Sequence, residues 1–142
     1  MNSQLLMLDL VRTLYWFDEQ LQVRLEALGW GRRGRSQSLI LANIANGETR
    51  ASRMADNLGV SRQAMSQFLT ELEKEKLIEV VVDPADRRAR IVRFTPESEA
   101  IREDAKKVLR AMEDELRTAM GVKDFEALQM GLRNFLGQQV GQ

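Results

Sequence analysis

Two short predicted helices joined by a tight turn lie at the centre of the chain, and they constrain its fold more than any other feature. The first helix has an apolar face at helical spacing, formed by Ala51, Met54, Ala55 and Leu58. Gly59 follows, and a residue just past a helix end often takes a positive φ, which glycine tolerates best. Ser61 can then cap the next helix, because its hydroxyl can accept a hydrogen bond from a free amide of the first turn. Residues 51–72 therefore predict a helix-turn-helix.

The second helix of this pair is predicted to have two chemically different faces. Its apolar stripe consists of Met65, Phe68, Leu69 and Leu72. The opposite face carries hydroxyl, amide and guanidinium groups, on Ser61, Arg62, Gln63, Ser66, Gln67 and Thr70. Groups of this length can reach base edges and phosphates, so these residues are the candidate DNA contacts. A structural helical hairpin with a solvated face would show the same pattern, and the two helices alone leave both interpretations open.

A basic β-hairpin is predicted directly after the two helices. Residues 78–82 and 90–94 are rich in Val and Ile and bracket the loop 83–89, where Pro84 favours a turn. Three arginines on or beside the loop, Arg87, Arg88 and Arg90, are candidate DNA contacts, since a guanidinium at a loop tip can enter a narrow minor groove. Asp86 is interpreted as the partner that orients one of these arginines. A solvated charged turn is the alternative, and it becomes the minority interpretation directly after a helix-turn-helix.

At this point the sequence resembles the MarR family of winged-helix transcriptional regulators. The resemblance is carried by Asp83-Pro84-Ala85-Asp86-Arg87-Arg88, by Phe94-Thr95-Pro96-Glu97, and by one long helix before the central segment and two after it. It implies that the helix from Ser61 enters the major groove and that Arg88 reaches the minor groove. It also implies that Asp86 orients the wing arginine and that Arg87 and Arg90 meet phosphates. The chain departs from the family pattern at Phe94, Ser98 and Gly34.

The distribution of charge fits this interpretation, although the formal net charge is zero. Residues 32–93 contain 12 Lys or Arg and 8 Asp or Glu, whereas residues 1–31 contain 2 against 4. Residues 94–142 contain 7 basic against 9 acidic side chains. The basic excess therefore lies on the predicted DNA-reading lobe.

The composition excludes several classes of function. The chain has no cysteine and no histidine, which excludes disulfides, thiol redox sensing, nearly all zinc sites and His-based catalysis. No Gly-rich phosphate loop occurs, so we expect no enzyme, no cofactor and no metal. The amino-terminal segment lacks the basic cluster of a secretory signal, and no stretch approaches the roughly 20 apolar residues that cross a bilayer. We expect a soluble cytoplasmic protein without membrane contact.

Long amphipathic helices are predicted on both sides of the central lobe. The first has an apolar stripe formed by Leu10, Leu14, Phe17, Leu21, Leu25 and Leu28, and the last has one formed by Phe125, Leu128, Leu132, Phe135 and Leu136. A small lobe cannot cover these stripes, whereas a second copy could, and an intramolecular bundle is the alternative. We therefore predict a mainly α fold with a small β-hairpin, in which the winged helix-turn-helix lobe spans 32–95. The N-terminal dimerisation helix spans 1–31 and the C-terminal dimerisation helices span 96–142. A homodimer would read a pseudo-palindromic operator with half-sites about 10 base pairs apart.

The resemblance further implies release of a repressor from DNA by a small aromatic or anionic effector. Tyr15, Trp16 and Trp30 are candidate pocket residues, although aromatics at such spacings are more often core or interface residues. Arg32 and Arg33 could meet an anionic group, DNA or only water. The alternative function is a winged-helix protein-interaction module without DNA binding, favoured by the zero net charge. Such a module should expose apolar or acidic groups on its second helix, where this chain has polar and basic ones.

Overall fold

A computed structural model describes residues 4–140; residues 1–3 and 141–142, which belong to the predicted dimerisation regions, lie outside the described residues. A single 3₁₀ turn, Pro96–Ser98, precedes the fifth helix. The elements in chain order are α1 (Leu6–Ala27), α2 (Arg35–Ala45), α3 (Ala51–Leu58), α4 (Arg62–Lys74), β1 (Ile78–Asp83), β2 (Asp86–Phe94), α5 (Glu99–Met120) and α6 (Val122–Val140). The predicted mainly α fold with one small hairpin is confirmed. Two compact units meet within α5, between Ala105 and Lys106.

The core of the first unit forms where α2, α3, α4 and the hairpin meet. Six large side chains of this core are at most 2% exposed: Ile40, Met54, Met65, Leu72, Ile78 and Val92. The apolar stripes predicted for the two central helices face this core, since Met54, Met65 and Leu72 are buried and Phe68 packs against it. Burial of these apolar faces supplies the main favourable term for folding of the lobe.

The turn between α3 and α4 has the predicted geometry. Gly59 adopts the left-handed conformation with φ of 67°, and the N–H of Val60 returns to the carbonyl of Ala55 at 3.0 Å. Ser61 caps α4, because its Oγ accepts a hydrogen bond from the N–H of Ala64 at 3.0 Å. This turn fixes the angle at which the two helices meet, and it confirms the helix-turn-helix.

The hairpin has a shorter loop than the sequence suggested. Antiparallel pairing runs from Ile78 opposite Phe94 to Val82 opposite Arg90, and after an irregularity it ends with Asp83 opposite Asp86. Residues 86–89, predicted to lie in the loop, are therefore part of β2. The reason is the side chain of Asp83, whose Oδ1 accepts the N–H of Ala85 at 2.9 Å and closes a tight turn at 84–85.

The second unit consists of the remainder of α5 and of α6, joined at Gly121. Gly121 has φ of 92°, which ends α5, and its carbonyl accepts the N–H of Phe125 at 3.0 Å. The guanidinium of Arg117 lies 4.6 Å from the centroid of the Phe125 ring. Phe125 is buried, but several apolar side chains further along α6 are exposed, among them Leu128, Met130, Leu132, Phe135 and Leu136. Within residues 4–140, no helix has the length and apolar content that a membrane crossing requires.

Candidate nucleic-acid interface

The outer face of α4 exposes all six of the side chains predicted to contact DNA: Ser61, Arg62, Gln63, Ser66, Gln67 and Thr70. Two of their hydroxyls have local roles. Ser61 caps the helix, and the Oγ1 of Thr70 donates to the carbonyl of Ser66 at 2.9 Å. Within residues 4–140, the side chains of Arg62, Gln63 and Gln67 make no hydrogen bond, so their donors and acceptors remain available to a ligand.

The charge along α4 is unevenly distributed. The first turn contains no acidic residue, and its free N–H groups add a positive partial charge. The acidic residues Glu71, Glu73 and Glu75 follow at the other end, beginning about 12 Å along the axis from Gln63. The amino-terminal half of the exposed face therefore suits an anionic partner, and the carboxyl-terminal half does not.

The wing presents arginines that no carboxylate neutralises. Arg87, Arg88 and Arg90 are exposed, and no acidic side chain among residues 4–140 lies within salt-bridge distance of any of them. Arg90 is paired with Val82 on the facing strand, whereas Arg87 and Arg88 lie in the irregular stretch between that pair and the pair Asp83–Asp86. Arg93 differs from these three, because its Nε lies 2.6 Å from Oε1 of Glu79 on the facing strand.

Asp86 contacts the backbone of the wing. Its Oδ1 accepts a hydrogen bond from the N–H of Arg88 at 3.0 Å. The carboxylate therefore holds the main chain at Arg88, and no guanidinium in residues 4–140 pairs with it. Its role in orienting an arginine stays a prediction, and the contact indicates that any such effect acts through the backbone.

Sequence reasoning missed the contacts that attach the wing to the rest of the lobe. The guanidinium of Arg50 pairs with Oδ2 of Asp83, whose side chain is only 11% exposed. Beside this pair, the N–H of Val92 donates to the carbonyl of Thr49 at 2.8 Å. A buried carboxylate requires a partner, but the partner lies 33 residues away in sequence and no local pattern identifies it.

The three aromatic residues predicted for an effector pocket have different environments. Trp30 packs against the core, and its Nε1 donates to Oδ2 of Asp104 at 2.9 Å. Trp16 makes an edge-to-face contact with Phe17, with 5.2 Å between ring centroids. Tyr15 is 49% exposed. A pocket role for the three stays a prediction.

The arginines at 32, 33 and 35, the first two of which were considered for an anionic group, are each paired with a carboxylate. The guanidinium of Arg35 lies 4.1 Å from the centroid of the Tyr15 ring and 3.2 Å from Asp18. Arg32 pairs with Glu19 at 2.8 Å, and the hydrogen bond and charge of that carboxylate raise the pKa of Arg32 above its ordinary value. Arg33 pairs with Glu75. An anionic ligand would therefore have to displace an internal partner at Arg32 or Arg33.

Comparison with known proteins identifies the lobe and the fold. A family model described as MarR family matches residues 33–89. A comparison with the sequences of curated proteins gives no match. The transcriptional repressor CouR, solved bound to a 23-mer DNA duplex, is 26% identical with a TM-score of 0.69, and 94% of each chain is covered.

Two further solved structures share the fold. The transcriptional regulator BldR from Sulfolobus solfataricus is 24% identical with a TM-score of 0.68, and 94% of this chain and 93% of BldR are covered. CouR from Rhodococcus jostii bound to p-coumaroyl-CoA is 22% identical with a TM-score of 0.70, covering 89% and 87% of the two chains. Together with the helix-turn-helix and the arginine wing, the match over residues 33–89 shows that the winged helix-turn-helix lobe of this chain is similar to that of the MarR family.

Proposed function

We propose that the protein is a homodimeric, sequence-specific regulator that binds double-stranded DNA in the cytoplasm and represses transcription until a small effector releases it. The observation that carries the proposal is the combination of the acid-free first half of the exposed face of α4 with three unpaired arginines on the neighbouring wing. An interaction module without DNA binding would expose apolar or acidic groups on the first half of α4. The exposed positions there are Arg62, Gln63, Ser66 and Gln67, so DNA is the better partner.

Each part of this surface fits a different groove of the duplex. The major groove is about 12 Å wide and admits a helix, where Arg62 can donate to base edges and Gln63 and Gln67 can both donate and accept. The wing arginine Arg88 fits the narrow minor groove, whose negative potential favours a guanidinium, and Arg87 and Arg90 suit the neighbouring phosphates. The structure of the relative CouR with a DNA duplex supports double-stranded DNA as the partner.

Exposed apolar side chains on the outer helices support a homodimer. On α1, Leu6 is 68% and Met7 is 64% exposed, and on α6, Met130 is 63% and Phe135 is 57% exposed. A soluble monomer seldom exposes a run of large apolar side chains along a helix, and a second copy would cover the run on each of these helices. Two copies related by a two-fold axis would read half-sites about one helical turn, or roughly 10 base pairs, apart.

An effector acts in this proposal by binding one arrangement of the dimer more tightly than another. The relative CouR has been solved with p-coumaroyl-CoA, which combines an aromatic acyl group with anionic phosphates. A small aromatic or anionic compound is therefore the class proposed for this chain. The ring of Tyr15 on α1 is half exposed and the guanidinium of Arg35 from α2 lies against it, so this pair offers such a compound an aromatic face and a cation.

Titration of a selected duplex with three variants tests the DNA assignment. The duplex is recovered from a random pool by the parent protein, and a scrambled duplex of the same composition serves as competitor. Arg62→Ala and Arg88→Ala should each weaken binding about tenfold or more, because each removes a groove contact. Arg110→Ala is the matched control, since it removes an exposed arginine of α5, outside the lobe. Equal affinity of all three variants and the parent would refute the proposed interface.

A further inference from the structure

Two polar contacts connect the start of α2 to the end of α4. The Nε2 of Gln37 donates to Oε2 of Glu71 at 2.6 Å, and the guanidinium of Arg33 pairs with the carboxylate of Glu75. Arg33 and Gln37 are four residues apart in sequence, and so are Glu71 and Glu75. The pairing is antiparallel, because the earlier residue of the first pair contacts the later residue of the second. The two contacts therefore lie about one helical turn, or about 5.4 Å, apart along α4. We call these two contacts, Arg33–Glu75 and Gln37–Glu71, the α2–α4 clamp.

The clamp is anchored in α1 by a buried glutamine. The Oε1 of Gln22, a residue that is 3% exposed, accepts the backbone N–H of Arg33 at 2.9 Å. Its Nε2 donates to Oγ of Ser38 in α2 at 2.8 Å. The side chain of Arg33 is itself only 14% exposed, so its reach to Glu75 is restricted. A continuous set of hydrogen bonds thus runs from α1 through residue 33 to the last turn of α4.

We propose that Arg33 and Gln37 are positioning residues for DNA recognition, which set the rotation and tilt of α4 without touching DNA. The inference rests on the proposed DNA-binding function. Two contacts one turn apart restrain both rotation about the helix axis and tilt. Gln63 lies twelve residues, about 18 Å, from Glu75. A tilt of about 5° at the clamp would move Gln63 by about 1.6 Å, more than the roughly 0.5 Å range of good hydrogen-bond distances.

Charge alone makes a different prediction from positioning, and the difference allows a clean test. If Arg33 and Glu75 acted only through their charges, Arg33→Gln would weaken binding to DNA and Glu75→Gln would strengthen it. The double variant would then bind like the parent. If they act as a clamp, both single variants weaken specific binding and the double variant is as weak as either one, because the same contact is lost once.

The experiment measures affinity for the duplex selected by the parent and for its scrambled counterpart, with a melting curve for each variant. The variants are Arg33→Gln, Glu75→Gln and the double variant. Gln37→Ala tests the second contact without any change of charge. Glu73→Gln is the matched control, since it removes a carboxylate from the same turn of α4 and Glu73 makes no side-chain bond within the described residues.

The clamp predicts that the three single variants at 33, 37 and 75 bind the selected duplex about tenfold more weakly. Their affinity for the scrambled duplex and their melting temperatures should stay close to those of Glu73→Gln, since the carboxylates of Glu71 and Glu75 are exposed and polar contacts with an exposed carboxylate add little stability. The inference would be overturned if Glu75→Gln bound the selected duplex as tightly as Glu73→Gln, or more tightly. It would also be overturned if the double variant recovered the affinity of the parent. A parent protein that prefers no duplex would overturn the proposed function as well.

Discussion

Removal of the Asp83 carboxylate should loosen the wing and destabilise the lobe by an amount that the structure allows us to work out. Asp83 accepts one bond from the guanidinium of Arg50 and one from the N–H of Ala85. A charge-assisted bond contributes about 1.5–3 kcal/mol, and the 38% exposure of the Arg50 side chain places this one near the lower end. The turn bond adds about 1 kcal/mol. Asp83→Ala should therefore cost about 2–3 kcal/mol.

Thermal and chemical unfolding measure this cost. A change of 1 kcal/mol shifts the melting temperature of a domain of this size by about 4 °C, so Asp83→Ala should lower it by about 8–12 °C. Asp83→Asn retains an oxygen for the turn and should lose about half as much. Asp86→Ala is the control, since this exposed residue accepts one backbone bond and its loss should cost about 0.5–1 kcal/mol.

A double-mutant cycle with Arg50→Ala decides whether the two side chains act together. Because they contact each other, the double variant should be about 1 kcal/mol more stable than the sum of the single losses predicts. Fully additive losses would refute the account of the wing anchor. So would a melting temperature of Asp83→Ala that equals that of Asp86→Ala.

Three further predictions concern the capped turn, the core and the wing. Ser61→Ala removes the cap of α4 and should cost about 1 kcal/mol in urea unfolding, a loss that Ser61→Asp should largely avoid. Leu72→Ala, at a fully buried position, should cost about 2–5 kcal/mol and leave a cavity, and a loss below 1 kcal/mol would show that Leu72 lies outside the core. Arg90→Gln, at a residue assigned to phosphates, should reduce the slope of log affinity against log salt by about 0.9, whereas Arg93→Gln, whose guanidinium is already paired with Glu79, should change it less. Equal changes in slope would contradict the distinction between paired and unpaired wing arginines.

Local signals in the sequence were sufficient to predict the helix-turn-helix. Gly59 takes the positive φ expected just after a helix, and Ser61 makes the expected cap, because both requirements involve only neighbouring residues. The wing was predicted from alternation and arginine content. Its loop was predicted too long, because the bond from Asp83 to the N–H of Ala85 shortens it.

Contacts between distant polar side chains could not be predicted. Arg50–Asp83, Arg33–Glu75 and Trp30–Asp104 join residues 33, 42 and 74 positions apart, respectively. Periodicity identifies which face of a helix is buried, but it does not identify which charged group another charged group meets. The same limit applies to the apolar stripes of α1 and α6. Their spacing predicted helices, but the spacing alone does not say what covers them.

Sequencing of duplexes that the purified protein selects from a random pool tests the central claim most directly. Two copies of α4 presented by a dimer, with the wing arginines beside them, should enrich an imperfect palindrome whose half-sites lie about 10 base pairs apart. Enrichment should disappear when Arg62 and Arg88 are both replaced by alanine. A pool that shows no enrichment, or enrichment of one unrepeated half-site, would contradict the account.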